Sequence, residues 1–115
     1  MKLKRKEIKD FRNELAKKQD WKCTLCGKKM KEDNATLDHC HTHGHVRTVL
    51  CRPCNSAEGK VLSWAKRSGA DNPGEFLQAL LLYWDTDYTN NYIHPVHLTP
   101  EEKQLKEYRR RLKSA

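Results

Sequence analysis

Apolar residues recur at helical spacing in several stretches of the chain. Between residues 5 and 19, Ile8, Phe11 and Leu15 are separated by charged residues, which predicts an amphipathic helix. Similar stripes, together with turn and capping residues, predict three more helices: 55–67, 75–84 and a last one that starts at Thr99. The first of these is predicted to be capped by Asn55, with Glu58 three residues later, and to be stopped by Gly69. Residues 85–98 are predicted to be irregular.

A β-pattern separates the first two helices. Residues 35–37 and 46–50 are β-prone, and Thr42-His43-Gly44 lies between them as a turn, which predicts a short two-stranded ribbon. The fold class is therefore α+β and mostly helical, with a ββα unit flanked by helices. A chain of 115 residues has room for one compact domain or for one protomer of an intertwined oligomer.

Charge is distributed unevenly along the chain. The formal net charge is +8, from 23 basic and 15 acidic side chains. Residues 1–31 hold twelve basic and four acidic residues, residues 32–98 hold five and eight, and residues 99–115 hold six and three. Basic ends around a mildly acidic centre favour a nucleic-acid partner, although solvated helical faces account for the charge equally well.

Hydropathy predicts neither a membrane partner nor export. The longest apolar run, residues 79–84, is far too short to cross a bilayer, and the charged start lacks the apolar region of a signal peptide. We therefore expect a cytoplasmic protein. No Lys or Arg occurs between Ser68 and Leu98, so this stretch is predicted to be core or a subunit interface, which makes a homodimer plausible.

The five cysteines carry the first strong chemical signal. Cys23 and Cys26 form one Cys-x-x-Cys pair, and Cys51 and Cys54 form a second pair, with 24 residues between the two pairs. Two residues between thiolates let both sulfurs face one tetrahedral ion, so the two pairs predict a closed, structural Cys₄ zinc site. Disulfides are the alternative, and the odd cysteine Cys40 and the lack of an export signal argue against them.

A second constellation lies between and directly after the cysteine pairs. Asp38 and Asn55 are hard oxygen ligands suited to Mg²⁺, and His39 can accept a proton near neutral pH. A helix that begins at Asn55 would also direct its N–H groups toward a phosphate. Because neighbours in a regular strand point to opposite faces, Asp38 and His39 can serve one site only if the strand ends or distorts there.

At these residues the sequence resembles the HNH, or ββα-metal (His-Me finger), nucleases. Within them it closely resembles the phage recombination endonuclease VII family of Holliday-junction resolvases. The resemblance covers roughly residues 21–97. The motifs that carry it are both Cys-x-x-Cys pairs and four further stretches: Leu37-Asp38-His39-x-His41, Val46-Arg47, Cys54-Asn55-x-Ala57-Glu58-Gly59, and a distal Asp87-Tyr88-Thr89-x-Asn91-x-Ile93-His94-Pro95.

The resemblance implies a set of roles for these residues. Zinc would be held by Cys23, Cys26, Cys51 and Cys54, and catalytic Mg²⁺ or Mn²⁺ by Asp38 and Asn55. His39 would be the general base, His41 would touch or orient the phosphate, and Glu58 would support the metal side. Members of the family work as intertwined dimers, and their substrate is branched DNA and not a small molecule. If the chain is phage-encoded, the expected location is the cytoplasm of the bacterial host.

The resemblance also divides the chain into four segments: a basic N-terminal helix over 1–20, a zinc-stabilised ββα nuclease unit over 21–68, a helical dimerisation segment over 69–98 and a basic C-terminal helix over 99–115. Two departures stand out. Cys40 takes the place of an acidic residue that the family often has between its two histidines. Only one helix follows Pro100, where longer members carry a further domain.

Several alternatives stay open at this point. The chain could instead nick duplex DNA, bind DNA as a non-catalytic zinc module, or act as a zinc-ribbon adaptor between proteins. His43 and His45 are expected to be exposed turn residues, and Cys40 a small filler beside the ribbon. The aromatic residues Trp64, Tyr83, Trp84 and Tyr88 are expected in the core or in a dimer contact.

Overall fold

A computed structural model describes residues 1–114, so the final residue of the predicted 99–115 segment lies outside the described residues. The described chain is mostly helical with one small antiparallel sheet, as predicted. Its elements are α1 (Ile8–Lys18), β1 (Ala35–His39), β2 (Val46–Cys51), α2 (Arg52–Arg67), α3 (Pro73–Asp85) and α4 (Pro100–Ser114). No helix in the described range is long and apolar enough to cross a membrane.

The chain divides into two compact units. The first comprises Met1–Leu80, and the second begins at Leu81, within α3. Seven residues form the core of the first unit: Ala16, Cys23, Met30, Ala35, Val49, Leu50 and Cys51. Val49 and Cys23 are the largest of its fully buried side chains, so this core is small. A unit with so little buried apolar volume needs a further source of stability, such as a structural metal site.

Helix α1 is attached to the sheet by polar side chains. Gln19, just after the helix, donates from Nε2 to the Val49 carbonyl at 3.0 Å and accepts from the Val49 N–H at 2.9 Å. Asn13 Nδ2 donates to Glu32 Oε1 at 3.1 Å, and this hydrogen bond, followed by the nearby Lys9 and Arg12 charges, lowers the pKa of Glu32. These contacts hold α1 across the sheet.

The turn after α1 aims the chain toward the first cysteine pair. Asp20 and Trp21 have φ angles of 54° and 56°, in the left-handed region that bulky residues rarely adopt. The Trp21 N–H donates to the Ala16 carbonyl at 2.8 Å, and the Trp21 carbonyl accepts from the Met30 N–H at 2.7 Å. Trp21 also packs against the core, so hydrogen bonding and burial both hold this backbone.

The hairpin of β1 and β2 contains a bulge at the predicted site. Leu37 pairs with Val49, whereas His39 pairs with Val46, so the single residue Asp38 faces both Arg47 and Thr48. An extra residue in one strand bends it and re-aims its side chains. The six-residue loop is closed by the Cys40 N–H, which donates to the His45 carbonyl at 2.8 Å, and by Gly44, whose φ is 78°.

Helix α2 begins three residues earlier than predicted. Its N-cap is Cys51, and Pro53 lies in its first turn, where a missing N–H costs nothing. The Arg52 N–H donates to Asn34 Oδ1 at 3.4 Å, so Asn34 supplies the capping oxygen from a distant loop. The prediction that Asn55 caps this helix, in a capping box with Glu58, is wrong, because both residues lie inside the helix.

The other helix ends also differ in detail. Helix α2 does stop at Arg67, but the terminating residue is the extended Ser68, whose hydroxyl donates to the Ala65 carbonyl at 2.7 Å, and not Gly69. Helix α3 starts at Pro73, two residues earlier than predicted, because Asn72 Oδ1 accepts from the Gly74 N–H at 2.7 Å.

The second unit is held by local contacts. Thr99 and Glu102 exchange two hydrogen bonds, which forms the predicted cap of α4. In the segment before it, the Tyr88 hydroxyl donates to the Tyr83 carbonyl at 2.7 Å. No side chain is buried between residues 81 and 114. The core alternative for the aromatic residues is therefore wrong: Tyr83, Trp84 and Tyr88, and also Trp64 of the first unit, are exposed.

Candidate metal centre and active site

The four cysteines of the two Cys-x-x-Cys pairs meet where three elements join. Cys23 and Cys26 lie in the loop after α1, Cys51 ends β2, and Cys54 lies in the first turn of α2. Their sulfur atoms all lie within 4.8 Å of one another. Gly27 makes the tight loop, with a φ of 74° and an N–H that donates to the Cys23 carbonyl at 2.9 Å.

The sulfur spacing suits zinc. Tetrahedral zinc–thiolate bonds of about 2.3 Å place neighbouring sulfurs about 3.8 Å apart. The Sγ atoms of Cys26 and Cys51 are 3.9 Å apart. Four soft sulfur donors at this spacing can hold a zinc ion, and all four tetrahedral positions would then be filled by protein.

The thiols of this cluster have divergent pKa values. Burial opposes ionisation of Cys23, but the backbone N–H groups of Cys26, Cys51 and Leu25 outweigh it and lower the pKa of Cys23 to about 6. Hydrogen bonding to the Cys51 sulfur, followed by burial, raises the pKa of Cys54 to about 12. One thiolate forms readily and the last one does not, which is the behaviour expected of a site that needs a cation to become fully ionised.

A cluster of charged side chains forms at the bulge. Asp38 is buried, with 6% of its side chain exposed, and its Oδ2 accepts from Arg47 Nε at 2.6 Å. Arg47 Nη2 lies 3.2 Å from Glu58 Oε1, so one guanidinium joins the hairpin to α2. The hydrogen bond to Asp38, the strongest of these influences, raises the pKa of Arg47.

The histidines lie on the exposed side of the same strand end. His39 and His41 are exposed, and their ring centroids are 4.7 Å apart at an interplanar angle of 39°. His43 and His45 are also exposed, as expected, and Cys40 between the paired histidines is half-buried. The structure therefore separates Asp38 from His39 by burial, in the way that strand alternation requires.

Asn55 lies one helical turn before Glu58. Residues three apart in a helix lie near each other on its surface, and Asn55 is half-buried. Within residues 1–114, no hydrogen bond joins Asn55 to Asp38 or to His39. The other site residues form two groups: Asp38 and Glu58, which are joined through Arg47, and His39 with His41.

A family model described as recombination endonuclease VII matches residues 2–86. The chain belongs to the recombination endonuclease VII family. The matched range includes α1, both cysteine pairs, the hairpin, α2 and α3, and it stops before α4. The resemblance read from the motifs is therefore confirmed, and the four cysteines do come together as the zinc prediction requires.

Membership in the endonuclease VII family makes the chain a recombination nuclease, and so a protein that acts on DNA. The basic N-terminal region lies inside the match, which supports the nucleic-acid interpretation of its charge over a merely solvated helix. A nuclease family favours a catalytic role over the adaptor and non-catalytic alternatives.

Arg47 is the residue of this endonuclease VII site that the motif analysis missed. The Val46-Arg47 motif gives it no role. In a regular ribbon with Leu37 opposite Val49, Asp38 would face Thr48, and the side chain of Arg47 would point to the other face. The bulge brings Arg47 to Asp38, so the sequence pattern offers no signal for this contact.

Proposed function

We propose that this protein is a metal-dependent endonuclease that hydrolyses phosphodiester bonds in branched DNA such as Holliday junctions. The observation that carries the proposal is the buried carboxylate of Asp38, held at a bulge directly before the exposed His39–His41 pair, in a chain of the endonuclease VII family. A carboxylate and a histidine at the same strand end provide a cation ligand and a proton acceptor within one substrate's reach.

The donor atoms suit a hard divalent ion. Asp38 offers a carboxylate and Asn55 an amide oxygen, which are ligands that Mg²⁺ or Mn²⁺ accepts, so these two residues would hold the ion. When bound, such an ion supplies charge stabilisation at the phosphate. The start of α2, at Cys51 and Arg52 instead of Asn55, contributes its positive end from one turn further back.

In this proposal, one histidine accepts a proton and the other contacts the phosphate. His39 is exposed, so its imidazole can take a proton from a water that approaches the phosphorus. His41, whose ring lies beside that of His39, contacts or orients the phosphate. Glu58 acts from α2 through its ion pair with Arg47, which keeps the helix against the metal side of the hairpin.

The proposal includes a homodimer that places two active sites on opposing strands. Large apolar side chains at the start of the second unit are 64–71% exposed, namely Leu81, Leu82, Tyr83 and Trp84. In the first unit, Leu25, Val61 and Leu77 line an open apolar groove beside Cys26 and Cys54. Exposed apolar surface of this extent favours burial against a second copy. In this arrangement segment 69–98 is the dimerisation segment, and the basic segments 1–20 and 99–115 follow the DNA backbone.

One assay tests the proposed activity. A labelled four-way junction and a linear duplex of the same sequence are incubated with zinc-loaded protein, in Mg²⁺ and in EDTA. We expect paired nicks near the branch only with Mg²⁺. His39→Ala should lower the cleavage rate by roughly 10²–10⁴-fold while junction binding persists. His43→Ala is the matched control, because His43 is an exposed turn histidine with no role in the proposal, and it should cut at the wild-type rate.

The substrates separate the outcomes. Equal cleavage of junction and linear duplex would replace the junction-resolving proposal with duplex nicking. Junction binding without cleavage in Mg²⁺ or Mn²⁺ would contradict the nuclease proposal itself.

A further inference from the structure

One guanidinium serves two carboxylates at the bulge. Arg47 contacts Asp38 Oδ2 through Nε at 2.6 Å and Glu58 Oε1 through Nη2 at 3.2 Å. The Asp38 side chain is 6% exposed, whereas the Arg47 side chain is 39% exposed. The Asp38 carboxylate therefore lies inside the protein, and the Arg47 guanidinium reaches it from the surface.

The burial of Asp38 explains the need for a cation. A buried carboxylate is costly unless an opposite charge and hydrogen bonds compensate it. The bulge places two β2 residues opposite Asp38, and one of them, Arg47, supplies that charge. Its contact is with Oδ2, one of the oxygen atoms through which a carboxylate binds a divalent ion.

We infer that Arg47 is a built-in counter-cation of Asp38, with which a divalent metal ion has to compete. The inference rests on the proposed role of Asp38 as a metal ligand. Arg47 is then a positioning residue: its Nε holds the Asp38 carboxylate at Oδ2, and its positive charge would oppose a divalent ion at the same carboxylate. The exposed part of the side chain gives the guanidinium room to move toward solvent.

This role has a consequence that a purely structural ion pair lacks. A neutral residue at position 47 leaves the Asp38 carboxylate without a competing cation, so the divalent ion binds more tightly. We expect about tenfold tighter binding, at the low end of the usual range of coupling between sites. Arg47→Lys keeps the positive charge, so it should tighten Mn²⁺ binding less than Arg47→Gln does.

Mn²⁺ binding without DNA measures this effect directly. Zinc-loaded wild-type protein and the Arg47→Gln variant are titrated with Mn²⁺, followed by calorimetry and by the Mn²⁺ electron paramagnetic resonance signal. Gln keeps a hydrogen-bond donor for Asp38, which limits loss of folding. Arg67→Gln is the matched control, because Arg67 is exposed at the far end of α2 and has no ion pair in the described chain, and it should bind Mn²⁺ as wild type does.

The outcomes separate this inference from the proposed function. Tighter Mn²⁺ binding by Arg47→Gln, with a smaller effect of Arg47→Lys and no effect of Arg67→Gln, supports the inference. Unchanged or weaker binding by Arg47→Gln overturns it, including the case in which only the melting temperature falls. Asp38→Asn should abolish this Mn²⁺ binding. If it does not, the metal assignment of the proposed function fails, and the inference falls with it.

Discussion

At the scale of single residues, Gln19 does with its side chain what a neighbouring strand would do with its backbone. Its amide both donates to and accepts from Val49, a fully buried residue of β2. The sheet has only two strands, so this edge would otherwise leave the Val49 backbone groups without protein partners. A single glutamine thus closes the edge of the sheet that leads to Cys51.

We expect Gln19→Ala to lower the free energy of unfolding by about 1–3 kcal/mol, because it leaves a buried N–H and a buried carbonyl unsatisfied. Urea unfolding of the zinc-loaded protein, followed by far-ultraviolet circular dichroism, measures the change. Gln104→Ala, at an exposed position of α4, is the control and should stay within about 0.5 kcal/mol of wild type. Equal effects of the two variants would contradict the role given to Gln19.

At the scale of elements, the junction of β2 and α2 organises the first unit. Cys51 ends the strand and occupies the N-cap position of the helix, and Cys54 follows in the first helical turn. Both lie within reach of the cysteine pair after α1, so an ion in this cluster would tie α1, the hairpin and α2 together. The core is too small to hold these elements firmly without it.

Zinc removal should therefore unfold the first unit and not merely silence it. We expect one zinc per chain after exhaustive dialysis and a loss of helical circular dichroism when a strong chelator removes it. Cys23→Ser should show the same loss without chelator, because one ligand of the four is missing. Cys40→Ser is the matched control, since Cys40 lies outside the cluster, and it should retain zinc and fold. A zinc-free chain with full helical signal would refute this account.

At the scale of the whole molecule, the described residues beyond Leu81 bury no side chain within the single chain. Helices α3 and α4 each carry exposed apolar residues, including Leu82 at 71% and Leu105 at 49% exposure. A segment of this kind is stabilised by helical capping and local hydrogen bonds, and it gains more by burying its apolar residues against another surface. A second copy of the chain is the partner in the proposed dimer.

We expect Leu82→Glu to weaken dimerisation by roughly tenfold or more, because a charge would replace an apolar side chain inside the interface. Sedimentation equilibrium of the zinc-loaded protein measures the dissociation constant. Thr42→Glu introduces the same charge at an exposed polar position of the hairpin loop, outside segment 69–98, and should leave the constant near that of wild type. A wild-type chain that stays monomeric at tens of micromolar would contradict the dimer.

The chain's local patterns predicted most of its elements. Capping at Thr99 and the apolar stripe of Ile8, Phe11 and Leu15 correctly located α4 and α1, although Ile8 and Phe11 themselves are exposed. The start of α2 was wrong by three residues because its cap, Asn34, belongs to a loop 18 residues away. A capping rule that examines neighbours in sequence has no access to such a partner.

Short spacings predicted the cysteine cluster, the hairpin, the helices and the family, because such spacings do not depend on the rest of the fold. Strand alternation also predicted that Asp38 and His39 point to opposite faces of a regular strand. The folded chain was needed to show that Asp38 is the buried one of the two and that Arg47 links it to Glu58. The physical reason is the one-residue bulge in the hairpin. Strand periodicity contains no signal for an extra residue, yet that residue sets which side chains meet.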